Sequence, residues 1–193
     1  MSRVAIYTAS LINSNAITPQ NKVTALTLSS IIIPRWTSYE DTSIPINYYY
    51  GLHKRCTSAG DCAHFPSYAD CHGTDRYFCS MWRSTAWLMS FTLVIEGMNI
   101  VAFIVILAGG PVKRMNGWRM LGVLLLLNAI IQGAATSLVQ YLYDYDDRFF
   151  VGWSLGISWV LATVSWVITV ILAGIVVVGG WYLPPEGGYE FLK

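Results

Sequence analysis

Long apolar runs, rather than strand-like alternation, set the pattern of this chain. From Ser84 to Val112 the only ionisable residue is Glu96, and AWLMSFTLVIEGMNIVAFIVILAGG fills most of that stretch. From Met120 to Tyr143 there is no charge, with LGVLLLLNAIIQGAATSLVQYLY at its centre, and none from Phe149 to Pro185. At ~1.5 Å per helical residue each run covers a hydrocarbon core of ~30 Å. Three membrane-spanning helices are therefore predicted, over 84–110, 120–143 and 153–183. Trp87, Trp118, Tyr141, Tyr143, Trp153, Trp181 and Tyr182 stand near the ends of the runs, where half-polar rings favour the headgroup zone. Soluble helices of such length carry a charged face, and these have none.

The pattern weakens towards the N-terminus. VTALTLSSIII, Val23 to Ile33, is followed by Pro34 and preceded by Lys22. It gives roughly half a span, so a partial first transmembrane helix is predicted over 23–34, short or truncated, after a tail over 1–22. MSRVAIYTASLINSNAITPQ lacks the compact apolar core and small-residue cleavage site of a signal peptide.

Composition agrees with lipid as the surrounding medium: 54% of residues are hydrophobic and 12% charged, with a formal net charge of +1. No basic block offers a footprint for nucleic acid, which is excluded as a partner. The connection over 111–119 holds Lys113, Arg114 and Arg119 without an acid, whereas the one over 144–152 opens on DYDDR. Positive loops stay cytoplasmic, so the first is placed inside and the second outside. The segment over 35–83 is then extracellular and the tail over 184–193 cytoplasmic. Within that tail Tyr189-Glu190-Phe191-Leu192 has the form of a sorting signal too common to weigh.

All four cysteines, Cys56, Cys62, Cys71 and Cys79, fall in the 35–83 segment. An even number in one small extracellular loop reads as two disulfides, with three possible pairings. Such a loop is too small to bury a core of its own and needs the staples. His53, His64 and His72 lie among the cysteines, but no C-x2-to-4-C pair brings two thiolates to one tetrahedral zinc, so no metal is expected. Asp144, Asp146 and Asp147 lack the glycine turn and closing Glu of a calcium loop and read as a solvated turn.

Pro34-Arg35-Trp36, then Gly51-Leu52-His53-Lys54-Arg55-Cys56 and a further cysteine, resembles the first extracellular loop of the claudin and peripheral myelin protein superfamily. Its signature is a Trp, then Gly-Leu-Trp-x-x-Cys, then Cys; His53 stands where the motif has its second Trp. Arg83 matches the arginine that claudins carry at the mouth of the following span. The runs CAHFPSYADCHGTDRYFCSMWR, DDRFFVGW and LPPEGGYE look like the fungal branch of claudin-like four-span proteins. The resemblance implies a left-handed four-helix transmembrane bundle with cytoplasmic termini and a small disulfide-bonded extracellular β-sheet drawn from both outer loops. It also implies a plasma-membrane protein organising membrane domains, cell-wall contacts or stress signalling.

Within the spans Glu96 is costly if ionised and must be neutral, paired or wet. Asn99 on its own helix, and Asn128 and Gln132 spaced i, i+4 on the next, are the candidate partners. An interhelical hydrogen bond accounts for them; the alternative is a proton or cation relay. Ala129, Gly133 and Ser137 form a small-residue stripe that permits close helix approach, and Gly152 with Gly156 is expected to do the same at the start of the last span. Ser158, Thr163, Ser165 and Thr169 are expected to return their hydroxyls to their own helix. Tyr48, Tyr49, Tyr50, Trp36 and Phe65 are aromatic anchors for a partner or, more simply, packing against the bundle end.

No phosphate-cradling glycine loop, nucleophile elbow or metalloprotease motif occurs, and no cofactor is implied. The expectation is a non-enzymatic multi-pass protein, in contact with lipid and with other membrane proteins or copies of itself. The alternative is an ion-conducting or transport-linked subunit that works through Glu96.

Overall fold

The structure is a computed structural model and describes residues 19–40, 46–72, 76–108 and 111–182. Helix α1 runs over 19–32. It stops before Pro34, which disfavours helix in the residue ahead of it. The partial helix expected over 23–34 reaches back at least to residue 19 and ends at 32; the tail expected before it lies largely outside the described residues.

Four short strands follow: β1 (Thr37–Tyr39), β2 (Tyr48–Tyr50), β3 (Lys54–Thr57) and β4 (Cys62–His64). After a single-turn helix α2 (Tyr68–His72) come α3 (Arg76–Ala108) and α4 (Pro111–Tyr145), then strand β5 (Trp153–Leu155) and helix α5 (Ile157–Tyr182). The strands form one antiparallel sheet in the order β4-β3-β2-β1-β5. Its last strand comes from the connection between α4 and α5, so both connections at this end of the helices share a single sheet.

Among the described residues three helices are long and apolar enough to cross a membrane, over Tyr77–Ile106, Gly117–Tyr145 and Ile157–Tyr182. With 33 residues, α3 reaches roughly 50 Å, well beyond the ~30 Å of a hydrocarbon core. The helix starts at Arg76, not near Ser84, because its first turns pack under the sheet: Phe78 and Trp82 are fully buried there. The connection expected over 111–119 is instead the opening of α4, with Pro111 in the first helical position. Apolar composition marks the lipid-crossing part of a helix, not the helix ends. Likewise the last helix begins at Ile157, and 153–155, expected inside it, is strand.

The interior has three layers, in the same order on α3, α4 and α5. Nearest the sheet lies an apolar and aromatic cluster of Trp36, Leu52, Phe65, Phe78, Trp82, Met89, Ala135, Val139, Leu142 and Ala162. At the opposite end a second cluster joins Phe103, Ile106, Leu121, Leu125, Ala173 and Val176. Between them every helix turns polar residues inward: Glu96 and Asn99, Asn128 and Gln132, Ser165 and Thr169, all fully buried. The outward faces are the reverse, with Val101, Ile104, Ile130, Val164, Val170 and Ile175 exposed. Polar inside and aliphatic outside is the arrangement of a helix bundle in lipid, and the chain is an integral membrane protein.

Candidate functional site

The buried polar layer is the first candidate. Thr27 of α1 is its hub: Oγ1 donates to Glu96 Oε1 at 2.8 Å and receives Gln132 Nε2 at 3.2 Å. Ser165 Oγ lies 2.7 Å from Thr27 Oγ1 and 3.2 Å from the Val23 carbonyl, and its one proton serves either acceptor in turn. One hydroxyl has one proton and two lone pairs, so Thr27 is saturated by these contacts. Gln132 Nε2 reaches the Ala162 carbonyl as well, at 3.4 Å. Residues of α1, α3, α4 and α5 therefore meet on a single side chain, which the apolar run VTALTLSSIII gave no reason to single out.

Of the expected partners of Glu96, Asn128 lies against its carboxyl and Gln132 reaches it indirectly. Gln132 is tied to Glu96 through Thr27, not directly. Asn128 faces the Glu96 carboxyl but, like Asn99, makes no hydrogen bond of good geometry; Glu96 Oε2, Gln132 Oε1 and both side-chain polar atoms of Gln20 are likewise buried without one. Unpartnered groups of this kind cost several kcal/mol each in a dry interior, or ~1–3 kcal/mol by mutational measures, so the layer is suited to water or a small ligand. The hydroxyls expected to fold back on their own helix divide. Thr163 and Thr169 do so, onto the Trp159 and Ser165 carbonyls at 2.9 Å each. Ser158 instead donates to the Ile33 carbonyl at 2.7 Å, and Ser165 crosses to Val23. Both corrections have one cause: α1 lies alongside α5 and offers acceptors that a single-helix reading omits.

Among the small-residue positions, Gly133 lets α5 approach, since a Cβ there would meet the Trp166 indole nitrogen at 2.8 Å. Ala129 is buried in the same row, but Ser137 is exposed and takes no part. Gly152 and Gly156 are not on a helix at all. Gly152 has φ +111° in the turn before β5, under the Tyr39 ring, and Gly156 sits where a Cβ would strike the Arg35 carbonyl oxygen. Its own N–H donates to the Trp36 carbonyl at 2.8 Å. These glycines join the sheet to α5 rather than helix to helix.

The sheet end is the second candidate. The disulfides are Cys56–Cys62, which staples β3 to β4, and Cys71–Cys79, which ties α2 to the first turn of α3. Trp36 and Leu52 are buried in the cluster beneath the sheet, with Gly51 beside Leu52. Trp36 Nε1 donates to the Ser30 carbonyl at 2.8 Å, closing the end of α1, and Trp82 Nε1 donates to the Gly51 carbonyl at 3.2 Å. A Cβ on Gly51 would lie 2.5 Å from Pro34 Cα, so the close approach needs glycine. Arg83, next to Trp82 on α3, is exposed.

Of the aromatics, Trp36, Tyr50 and Phe65 pack against the bundle end. Trp36 and Phe65 are buried, Tyr50 stacks on Phe65 at 4.7 Å, and Phe65 meets Trp82 edge-on at 5.3 Å. Burial pushes the Tyr50 hydroxyl above its ordinary 10.0. Tyr49 lies beneath the Arg35 guanidinium, 4.4 Å away, and Tyr48 is exposed on the sheet. His53, His64 and His72 are all exposed, His72 stacked on Tyr68 at 3.6 Å. Among the described residues no three His, Cys, Asp or Glu side chains come together as metal ligands.

Arg148, unremarked in sequence, joins the two connections. It sits 4.3 Å from the Phe78 ring centre and 3.4 Å from Asp70 Oδ1. Asp70 in turn accepts the Ser67 amide at 2.9 Å and hydroxyl at 2.6 Å, a reciprocal cap on α2. Partial burial would raise the Asp70 carboxyl, but the Ser67 bonds and the Arg148 charge outweigh it and hold the group below 3.8.

No protein-family model matches the chain, and comparison with curated proteins finds no match.

Proposed function

We propose that this protein is a non-enzymatic, claudin-like organiser of membrane or cell-surface contacts, with the sheet presented on the extracellular side of the plasma membrane and the C-terminus in the cytoplasm. The observation that carries the reading is the sheet itself. It is built from two separate connections, stapled by two disulfides and seated on an aromatic cluster that continues into the bundle. A cap so firmly attached holds its surface in fixed relation to the bilayer, as lateral or cell-to-wall recognition requires. Lys54, Arg55 and the whole of β4 stay exposed at its free edge, available to other membrane proteins or to another copy of the chain. Photocrosslinkers at Lys54 and His64 in native membranes test this. The reading expects discrete adducts that disappear when Cys56 and Cys62 are both changed to Ser; a surface that yields none contradicts it.

A second reading, a transport-linked subunit using Glu96, is favoured by the unpartnered atoms of Glu96, Asn99 and Asn128. Proteoliposome flux of protons and alkali cations that vanishes in Glu96→Gln, with folding intact, would select it over the first; absence of flux in the wild-type protein would remove it.

A further inference from the structure

At the end of the bundle remote from the sheet, α4 and α5 enclose a groove of about 550 Å³ lined by Trp118, Arg119, Gly122, Val123, Leu126, Val177, Gly180 and Trp181. Two features of the helices create it. Gly180 leaves room for the Trp118 ring, which occupies the space a Cβ would need, and Gly122 lets Val177 come within 3.2 Å of where its Cβ would be. The helices thus touch along a thin seam, and the groove opens beside it onto the lipid-facing surface, where Val123 and Leu126 are exposed.

Its chemistry is divided by depth. The body is aliphatic, formed by Gly122, Val123, Leu126 and Val177. The mouth coincides with the ends of two candidate spans and carries two indoles and a guanidinium, with Arg119 5.5 Å from the Trp118 ring centre. Indoles favour the headgroup level of a bilayer. The guanidinium is exposed, and among the described residues no acid pairs with it. The sequence places no Asp or Glu between Gly97 and Tyr143, so the cation is not neutralised along its own helix or the adjoining half of α3. An unpaired Arg at that level is suited to bidentate contact with a phosphate, and the aliphatic trough behind it to a hydrocarbon chain.

We propose that this groove is a binding site for an anionic glycerophospholipid, with the headgroup phosphate on Arg119 between Trp118 and Trp181 and one acyl chain along Gly122, Val123 and Val177. The site goes beyond the contact function assigned to the sheet and does not depend on it. A protein partner would meet a cation above a bare aliphatic wall, whereas a lipid matches both parts at their observed depths.

Native mass spectrometry of the full chain, released from micelles containing equal phosphatidylglycerol and phosphatidylcholine, tests the proposal. The wild-type protein is expected to retain phosphatidylglycerol preferentially. Arg119→Gln reduces that preference about fivefold, the effect of one basic group at a membrane surface. Arg83→Gln, at the other end of α3, leaves it unchanged. Val123→Phe, which fills the trough from an exposed position, lowers retention of both lipids. Thermal unfolding in detergent shows that each variant remains folded. An unchanged preference in Arg119→Gln overturns the proposal, as does unaltered retention in Val123→Phe. A dimer that carries no lipid also overturns it, because a second copy would then cover the groove.

Discussion

Thr27 and Glu96 show how much a single contact decides at the scale of a residue. Thr27→Val keeps the shape but removes the hydroxyl that Glu96, Gln132 and Ser165 share. It is expected to cost ~1–3 kcal/mol, because buried groups lose their partner. Glu96→Gln keeps an acceptor for Thr27 and is expected to cost less than ~1 kcal/mol. Equilibrium unfolding in detergent measures both, and a larger loss for Glu96→Gln than for Thr27→Val would contradict the assignment of the hub. Asp70 gives the pH dependence. Its folded value lies below 3.8, so the stability it contributes is present above that pH and is lost as pH falls through the lower folded value. Asp70→Asn is expected to lose about 1 kcal/mol at neutral pH and to flatten the acid limb of the stability curve below pH 4. An acid limb identical to wild type would count against the Ser67–Asp70–Arg148 linkage.

Elements are held together where glycine permits close approach. Gly156→Ala drives a Cβ into the Arg35 carbonyl between β1 and α5 and is expected to destabilise by ~1–3 kcal/mol. Gly97→Ala on the exposed face of α3 meets nothing within 4 Å and is expected to be neutral or stabilising by up to ~1 kcal/mol. Melting temperatures of the two variants should move in opposite directions; a matching loss in both would mean that helix propensity, not the β1–α5 contact, is being measured. The same elements show what was legible beforehand. The lipid-crossing parts of α3, α4 and α5 are written in uncharged runs, and the disulfide-bearing connection in its cysteines. The strands were not legible one by one, because three-residue pieces such as Cys62–His64 are exposed along their length and carry no alternating pattern. The ends of α3 and α4 were not legible either, since those turns lie beyond the apolar runs and are fixed by contacts with the sheet or by a first-turn proline. Glu96, Gln132 and Asn128 could be marked as polar in an apolar run, but Thr27 could not, because the placement of α1 against α5 is a tertiary fact.

For the whole molecule, one distribution organises the rest: a polar layer between two apolar clusters inside, and aliphatic side chains outside. In water the exposed faces of α3, α4 and α5 would be an aggregation hazard; in lipid they are solvated, and the interior polar groups hold the helices in register. The cap, the polar layer and the groove at Arg119 then occupy three successive depths. The most direct test places single spin labels at Val101, Ile130 and Val167, exposed on the three helices, and at Lys54 on the sheet, in protein reconstituted in liposomes. Collision with molecular oxygen should dominate over a water-soluble nickel chelate at the three helix positions and the reverse should hold at Lys54. Nickel access at Val101, Ile130 and Val167 equal to that at Lys54 would show that these faces meet water, and the account of a bilayer-immersed bundle would be wrong.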